Sequence, residues 1–521
     1  MDSIFDSPLN FRLLSYLLVP ISLYYLYGIA YRLYISPVSS FPGPRLAALT
    51  FAYEFYYDIV QNGQYIWEIQ RLHEKYGPIV RINPYEIHIS DTEFFDTLFS
   101  NDRSANKWYW STKMFPIELS LLSTIDHQKH RMRRGALNQF FSMQRARQLQ
   151  PMVQERVDML IKRMLDCQST GEVIQAENAF AAMANDIVMQ YSFGRHEHRL
   201  EAPAFDPSFS NTSRASAYSL TLWKFFHPIL TLVMSLPDCI LKLLGDGVAG
   251  AITMKHAFFE QIEAIRYRKN EPELKSTHVT LFHELLSSTL PEQEKTTIRL
   301  TDEAQIIVGA GTETTGWTLA IAILHLIDNP TILRTLKEEL RTIDPDCMGQ
   351  SSLASLQSLP YLSAVINESL RLSYGTTQRL QRVFPHPLIF EPSNRSKTWT
   401  IPAGTPISVA IPDIHHNEDI FPDSYSFKPE RWIKDPGLAK YQMAFSKGSR
   451  RCLGMNLALA EIYTCVAAVF AKFGSKDVRY ESDIGILELV DTTVDNVRLW
   501  GDSFLPLQKP GSEGVRIIVI K

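Results

Sequence analysis

The sequence predicts a mainly α-helical protein with small β-sheets, preceded by a single membrane-spanning helix. Residues 13–31, LLSYLLVPISLYYLYGIAY, run nineteen positions without a charge, which matches the roughly 20 residues needed to cross about 30 Å of hydrocarbon as a helix. From about residue 50 to 380, apolar residues recur at three- and four-residue spacing, as in PMVQERVDMLIKRMLD and PTILRTLKEELRTI, the period of helices with one buried face. Strand-like pieces are few and short, at 79–82, 87–89, 399–401, 407–410 and 515–520.

The N-terminal span tolerates Pro20 and Gly28, and Tyr24, Tyr25, Tyr27, Tyr31 and Tyr34 supply rings suited to a membrane interface. A cleaved signal peptide and a buried core helix are the alternatives. A signal h-region is shorter, and no small-residue cleavage site follows here. Next comes SPVSSFPGPR, where prolines lacking a donor and fixed in φ predict a stiff, non-helical spacer. The expected organisation is an anchor over 1–36, a proline-rich hinge over 37–48 and one body over 49–521. Length alone suggests roughly three domains of about 150 residues, but no second linker is visible. Arg32 and Arg45 beyond the span, against Asp2, Asp6 and Arg12 before it, favour a cytosolic body by one arginine. On that reading the sequons at Asn211, Asn367 and Asn394 stay unmodified.

Composition narrows the function. The 521 residues are 45% hydrophobic and 21% charged with net charge −4, which excludes disordered, collagen-like and strongly basic nucleic-acid-binding classes. Cys167, Cys239, Cys347, Cys452 and Cys465 form no CxxC pair, so neither a disulfide framework nor a zinc ribbon is indicated.

One cysteine stands apart. Residues 445–454 read FSKGSRRCLG and lead directly into MNLALAEIYTCVAAVFAKF. Cys452 therefore sits at the mouth of a predicted helix, whose free amides and positive dipole end stabilise a thiolate. Arg450 and Arg451 are expected to act the same way. Such a thiolate serves as nucleophile or metal ligand. The other four cysteines read as small buried hydrophobes.

FSKGSRRCLG resembles the haem-binding signature of the cytochrome P-450 superfamily, F-x-x-G-x-R-x-C-x-G, at Phe445, Gly448, Arg450, Cys452 and Gly454. The resemblance implies the fold of that family enclosing haem b, with Cys452 as the axial thiolate on the haem iron. It implies Arg450 as partner to a haem propionate, and Phe445 packed near the thiolate. Three further motifs follow the family's order. In DEAQIIVGAGTETTGWTLAIAILHLI from Asp302, AGTETT resembles the distal helix, with Ala310, Gly311, Glu313 and Thr314 on the matching positions. Thr314 would hold the water that delivers a proton and Glu313 would relay protons. Read without the family, Gly309, Gly311, Gly316, Thr312 and Thr315 already mark a helix prone to bend. GAGTETTG has the wrong spacing for a dinucleotide fingerprint. Glu368 and Arg371 resemble the ExxR pair, and Pro429-Glu430-Arg431-Trp432 the PERF or PERW loop; together they imply a structural ion network of Glu368, Arg371 and Arg431.

HQKHRMRRGALNQFFS from His127 carries basic residues at helical spacing. It is short and lacks interleaved aromatics, so no nucleic acid is expected. His127 and His130 could also be read as a metal pair. The family places a W-x-x-x-R propionate pair here, which puts His130 and Arg134 on those positions, with histidine replacing tryptophan. Arg382 is a further propionate candidate. From FPGPRLAALT to the HRMRR segment, the chain looks most like fungal microsomal members of the trichodiene-oxygenase type.

The activity implied is monooxygenation of an apolar small molecule, terpenoid or polyketide-derived, with O2 and electrons from NADPH. Too few residues follow Cys452 for a fused flavin reductase, so a separate NADPH-cytochrome reductase is expected, with Lys428, Lys447 and Arg451 in its docking face. The implied location is the endoplasmic reticulum membrane, in contact with lipid and with the catalytic body in the cytosol. Trp108, Tyr109, Trp110, Phe115, Trp223, Phe225 and Phe226 fall in regions that line substrate pockets in the family. Two rivals use the same cysteine loop: a haem-thiolate isomerase or dehydratase needing no external electrons, and a non-catalytic haem sensor or carrier.

Overall fold

The computed structural model of the protein describes residues 8–100, 104–267, 280–343, 352–393 and 397–521, with side chains from residue 19 except at 217, 218 and 246. Asp2, Asp6, Cys347 and the sequon at Asn394 lie outside these residues. The chain forms two compact units, one taking the chain up to Leu98 together with Leu380–Val409, the other Phe99–Arg379 with Ala410–Lys521. Both are built as expected, from helices and small sheets.

In the first unit, helix Pro8–Ala30 continues as a wider turn over Tyr31–Ile35. Its 23 residues extend about 35 Å at 1.5 Å per residue, and Leu23, Tyr24, Tyr25, Leu26 and Tyr27 are exposed. The hinge is helical sooner than expected: Arg45–Leu49 is an α-helix with Pro44 at its N-cap, a place where the missing N–H and preset φ cost nothing. The hinge is also pinned. Phe41 stacks on Trp399 at 5.1 Å, and buried Arg81 donates to the carbonyls of Arg32 (2.8 Å) and Pro84 (2.8 Å). A four-stranded sheet orders Ile79–Arg81, Ile87–Ile89, Pro406–Ser408 and Arg382–Val383. The strand expected over 407–410 thus ends at Ser408, because Ala410 is already the N-cap of helix Ile411–His415.

The second unit holds the large core. Helix Ala176–Phe193, whose residues are nearly all buried, lies along helix Thr297–Asp328. The approach is close enough that a Cβ on Gly316 would meet the Ala181 amide nitrogen at 2.9 Å, so this glycine serves packing. The Thr297–Asp328 helix begins five residues before the apolar run because the Thr296 side chain accepts from the Arg299 amide and caps it. Two helices among the described residues are long and apolar enough to cross a membrane, Thr297–Asp328 and Met455–Lys472. Both are mostly buried core helices.

Short strands escaped the sequence reading. Ile174–Gln175, Phe473–Ser475 and Gly485–Leu489 join Arg516–Ile520 in one sheet, and Gly501–Ser503 pairs with Leu505–Leu507. At two to five residues, most are too short to show alternation.

Glu461, inside helix Met455–Lys472, is buried with Oε2 lacking a hydrogen-bond partner. Burial raises its carboxyl well above the usual range. A folded pKa above the unfolded value of about 4.3 gives stability that is full below that value and is lost as pH rises. Glu461→Gln is therefore expected to flatten the fall in stability between pH 5 and 8, measured by urea unfolding at several pH values. An unchanged slope refutes it.

Candidate active site

The cysteine loop is shaped by two tight backbone positions. Gly448 has φ +71°, and a Cβ there would collide with the Phe99 carbonyl oxygen, so glycine is required. The Cys452 amide then donates to the Phe445 carbonyl at 2.8 Å, closing the loop so that Cys452 precedes helix Met455–Lys472. The Phe445 ring packs on the main core.

The Cys452 side chain is accessible to solvent. Burial raises its thiol, opposed by hydrogen bonds from the Gly454 and Met455 amides and by the charge of Arg134. The amides at the helix mouth act as expected. The guanidinium that acts on the sulfur is Arg134's, in place of the expected Arg450 and Arg451. Arg450 turns away and donates through Nη1 to the Thr124 carbonyl and through Nη2 to the Ile125 carbonyl, each at 2.7 Å. Arg134 also donates to the Arg451 carbonyl at 2.7 Å.

Helix His127–Asn138 is capped by Asp126, whose side chain accepts from the Lys129 amide at 2.7 Å. His130 is buried on it and stands one turn before Arg134. Among the described residues, neither His127 nor His130 joins a cluster of metal ligands. Arg382 lies on a strand of the first unit and donates to the Gln381 carbonyl at 2.8 Å.

On helix Thr297–Asp328, Thr312, Thr314 and Thr318 bond back to the carbonyls of Val308, Ala310 and Thr314 at 2.7, 2.8 and 2.9 Å. Ala310 is exposed and Gly309 and Thr314 half-buried in the middle of this otherwise buried helix, so one face borders open space. Thr314 and Glu313 line a cavity of about 80 Å³ with Trp317, Leu505, Pro506 and Leu507. Glu313 is buried; Oε2 accepts from Arg214 Nε at 3.1 Å, while Oε1 has no partner. Burial raises its carboxyl, and this outweighs the opposing Arg214 and Ser210.

Glu368, Arg371 and Arg431, which the resemblance places in one ion network, lie together. Glu368 accepts from Arg371 Nε and Nη2 at 2.9 and 2.8 Å, and from Arg431 Nε at 3.1 Å. The Lys428 amide and Trp432 Nε1 complete its shell, both at 2.9 Å. Burial raises the carboxyl, but the hydrogen bonds and charge of Arg371, followed by Arg431, outweigh it and hold the group below the usual range. Arg371 Nη1 reaches the carbonyls of His415 and Ser424. His415 then bridges to the cysteine loop: Nδ1 donates to the Arg371 carbonyl at 2.8 Å, and Nε2 accepts from the Met443 amide at 3.0 Å.

Two of these residues escaped the sequence reading. Arg214 is far from Glu313 in the chain, and no local pattern marks it. His415 sits in an ordinary IHHN stretch. The aromatic candidates divide into two groups. Trp110 meets Phe225 edge-to-face at 5.7 Å and Trp108 at 6.4 Å, while Phe115 packs on Phe504 at 5.0 Å. Tyr109 is mostly exposed.

The residues around Cys452 fit haem. The Arg450 Nε is buried without a hydrogen-bond partner, a donor suited to a carboxylate. A Cβ on Gly454 or on Gly309 would meet nothing within 4 Å, which leaves room beside the backbone for a flat group.

Comparison with known proteins agrees. The family model for cytochrome P-450 matches residues 50–488. Among curated relatives, the cytochrome P-450 monooxygenase tpcC of Cochliobolus heterostrophus is 39% identical over 505 residues, 96% of each chain. The N-acetyltryptophan 6-hydroxylase ivoC of Emericella nidulans is 37% identical, covering 98% of each chain. The cytochrome P-450 monooxygenase TRI4 of Trichoderma arundinaceum is 35% identical over 91% of this chain and 89% of its own. With this coverage and the cysteine loop intact, the chain belongs to the cytochrome P-450 family: it is a haem b monooxygenase that uses O2, a redox partner and an organic substrate.

Proposed function

We propose that the protein oxidises an apolar fungal secondary metabolite, terpenoid or polyketide-derived, with electrons from NADPH delivered by a separate NADPH-cytochrome reductase. The observation that carries this is the acid and hydroxyl pair, Glu313 and Thr314, on the wall of a cavity shared by apolar Trp317, Leu505, Pro506 and Leu507 and by polar Glu177, Arg214 and Gln508. A carrier that performs no chemistry has no use for such a pair.

Haem, when bound, supplies oxygen activation and insertion of one oxygen atom into a substrate bond. Cys452 holds it from the loop, with the Gly454 and Met455 amides sharing the sulfur's charge. Arg450, His130 and Arg134 are the propionate partners in this reading. Thr314 donates its own hydroxyl proton to the Ala310 carbonyl, so its oxygen lone pair is free to accept from a water in the cavity. Burial raises the Glu313 carboxyl, which makes its protonated form easier to reach, and its unpartnered Oε1 is the atom that would pass a proton on.

Thr314→Ala is expected to uncouple NADPH consumption from product by about 10-fold or more, with excess peroxide as the readout. Unchanged coupling removes Thr314 from the proton path. The substrate class is tested by product analysis after co-expression with reductase, offering terpenoid, polyketide and indole substrates. Turnover without NADPH would overturn the monooxygenase assignment for that substrate.

The 23-residue N-terminal helix with its exposed apolar side chains supports anchoring in the endoplasmic reticulum membrane with a cytosolic body. Alkaline extraction of microsomes should leave the protein in the membrane fraction, and its release would refute the anchor. Lys428, Lys447 and Arg451 belong to the reductase face in this reading, Lys428 being paired on the surface with Asp423.

A further inference from the structure

A second cluster of ligand-type side chains lies away from the haem residues, in the turn after helix Ala176–Phe193. The nitrogen and oxygen ligand atoms of His196, His198 and Glu201 all lie within 4.8 Å of one another. Two imidazoles and a carboxylate form a donor set that zinc-class ions accept, with a position left for water. Nδ1 of His198 is 3.6 Å from Oε1 of Glu201, which brings the imidazole beside the carboxylate whose other oxygen, Oε2, has no hydrogen-bond partner.

Two atoms of this cluster are buried without a hydrogen-bond partner, Nδ1 of His196 and Oε2 of Glu201. Leaving such atoms unsatisfied costs free energy, and a cation relieves that cost. The turn is held from beneath: the buried Asp186 carboxylate accepts from the amides of Glu197 and Arg199 at 3.2 Å and of Leu200 at 3.3 Å. The rings of His196 and His198 are 4.0 Å apart between centroids, a spacing that disfavours two imidazolium ions.

The opposing charge is Arg156, whose Nη1 lies 3.3 Å from Oε1 of Glu201. Its Nη2 is engaged by Glu155 at 2.5 Å, which offsets that charge and leaves Oε2 of Glu201 for a metal. The His198 side chain is 70% exposed, so an ion reaches the cluster from solvent.

We propose that His196, His198 and Glu201 bind one zinc-class divalent cation, with water in the fourth position. The ion ties together the two ends of the turn, at His196 and Glu201. This is independent of the haem chemistry.

The test is calorimetric titration of zinc chloride into the full-length, haem-loaded protein purified without a polyhistidine tag. One equivalent is expected to bind, and X-ray absorption at the zinc edge should show a nitrogen and oxygen shell at about 2.0–2.1 Å with imidazole scattering. His198→Ala changes an exposed side chain and keeps the fold. It should weaken binding by about tenfold or more, as should His196→Ala, with the haem spectrum unchanged. Absence of stoichiometric binding, or binding that both variants retain at full strength, overturns the proposal.

Discussion

Replacing Cys452 with alanine abolishes the red-shifted Soret band of the reduced carbon-monoxide complex and, with it, all NADPH-dependent product. Alanine keeps the loop's backbone bond between the Cys452 amide and the Phe445 carbonyl, so the effect is chemical and the protein remains folded. It deletes the only donor at this position that pushes electron density onto an axial iron. The Gly454 and Met455 amides are left facing a methyl group. Persistence of the band in Cys452→Ala would place the iron ligand elsewhere and undo the site assignment.

The largest expected loss of stability is at Glu368. Glu368→Ala leaves the Arg371 and Arg431 guanidinium groups without their carboxylate, and Arg371 is fully buried. Breaking one member of such a network costs roughly 3–5 kcal/mol, a large share of a typical domain's stability of about 5–15 kcal/mol. Glu368→Gln keeps the shape and loses the charge, and is expected to fall between wild type and alanine. The readouts are the urea midpoint and the yield of haem-loaded protein. An alanine variant as stable as wild type would show the network to be dispensable.

The sequence was most informative where chemistry and local geometry coincide. The cysteine loop packs glycine, arginine and cysteine into ten residues because one backbone turn must hold them all. Glu313 and Thr314 are adjacent on one helix, and Glu368 and Arg371 stand one turn apart, so spacing alone brings them together. Arg214 and His415 reach their partners through packing between distant segments, which leaves no periodic mark. The same holds for the short strands: a two-residue strand such as Ile174–Gln175 exists because Arg516–Ile520 lies beside it, not because of its own pattern. Helix Arg45–Leu49 overlaps the end of the hinge expected over 37–48, because proline breaks a helix inside it but starts one at its edge.

His415 sets an acid limit on the cysteine loop. Its imidazole must donate at Nδ1 and accept at Nε2 to join Arg371 to Met443, so only the neutral ring fits. Burial, then the Arg371 charge, keep its pKa well below 6.5. Because the folded value is depressed, stability drains away as pH falls below about 6.5, when the unfolded chain begins to take up the proton that the folded ring refuses. The lowered Glu368 carboxyl adds a second loss below about 4.3 by the same linkage. Acid therefore loosens the scaffold of the thiolate from behind, in two stages. The first stage belongs to a residue that never meets substrate.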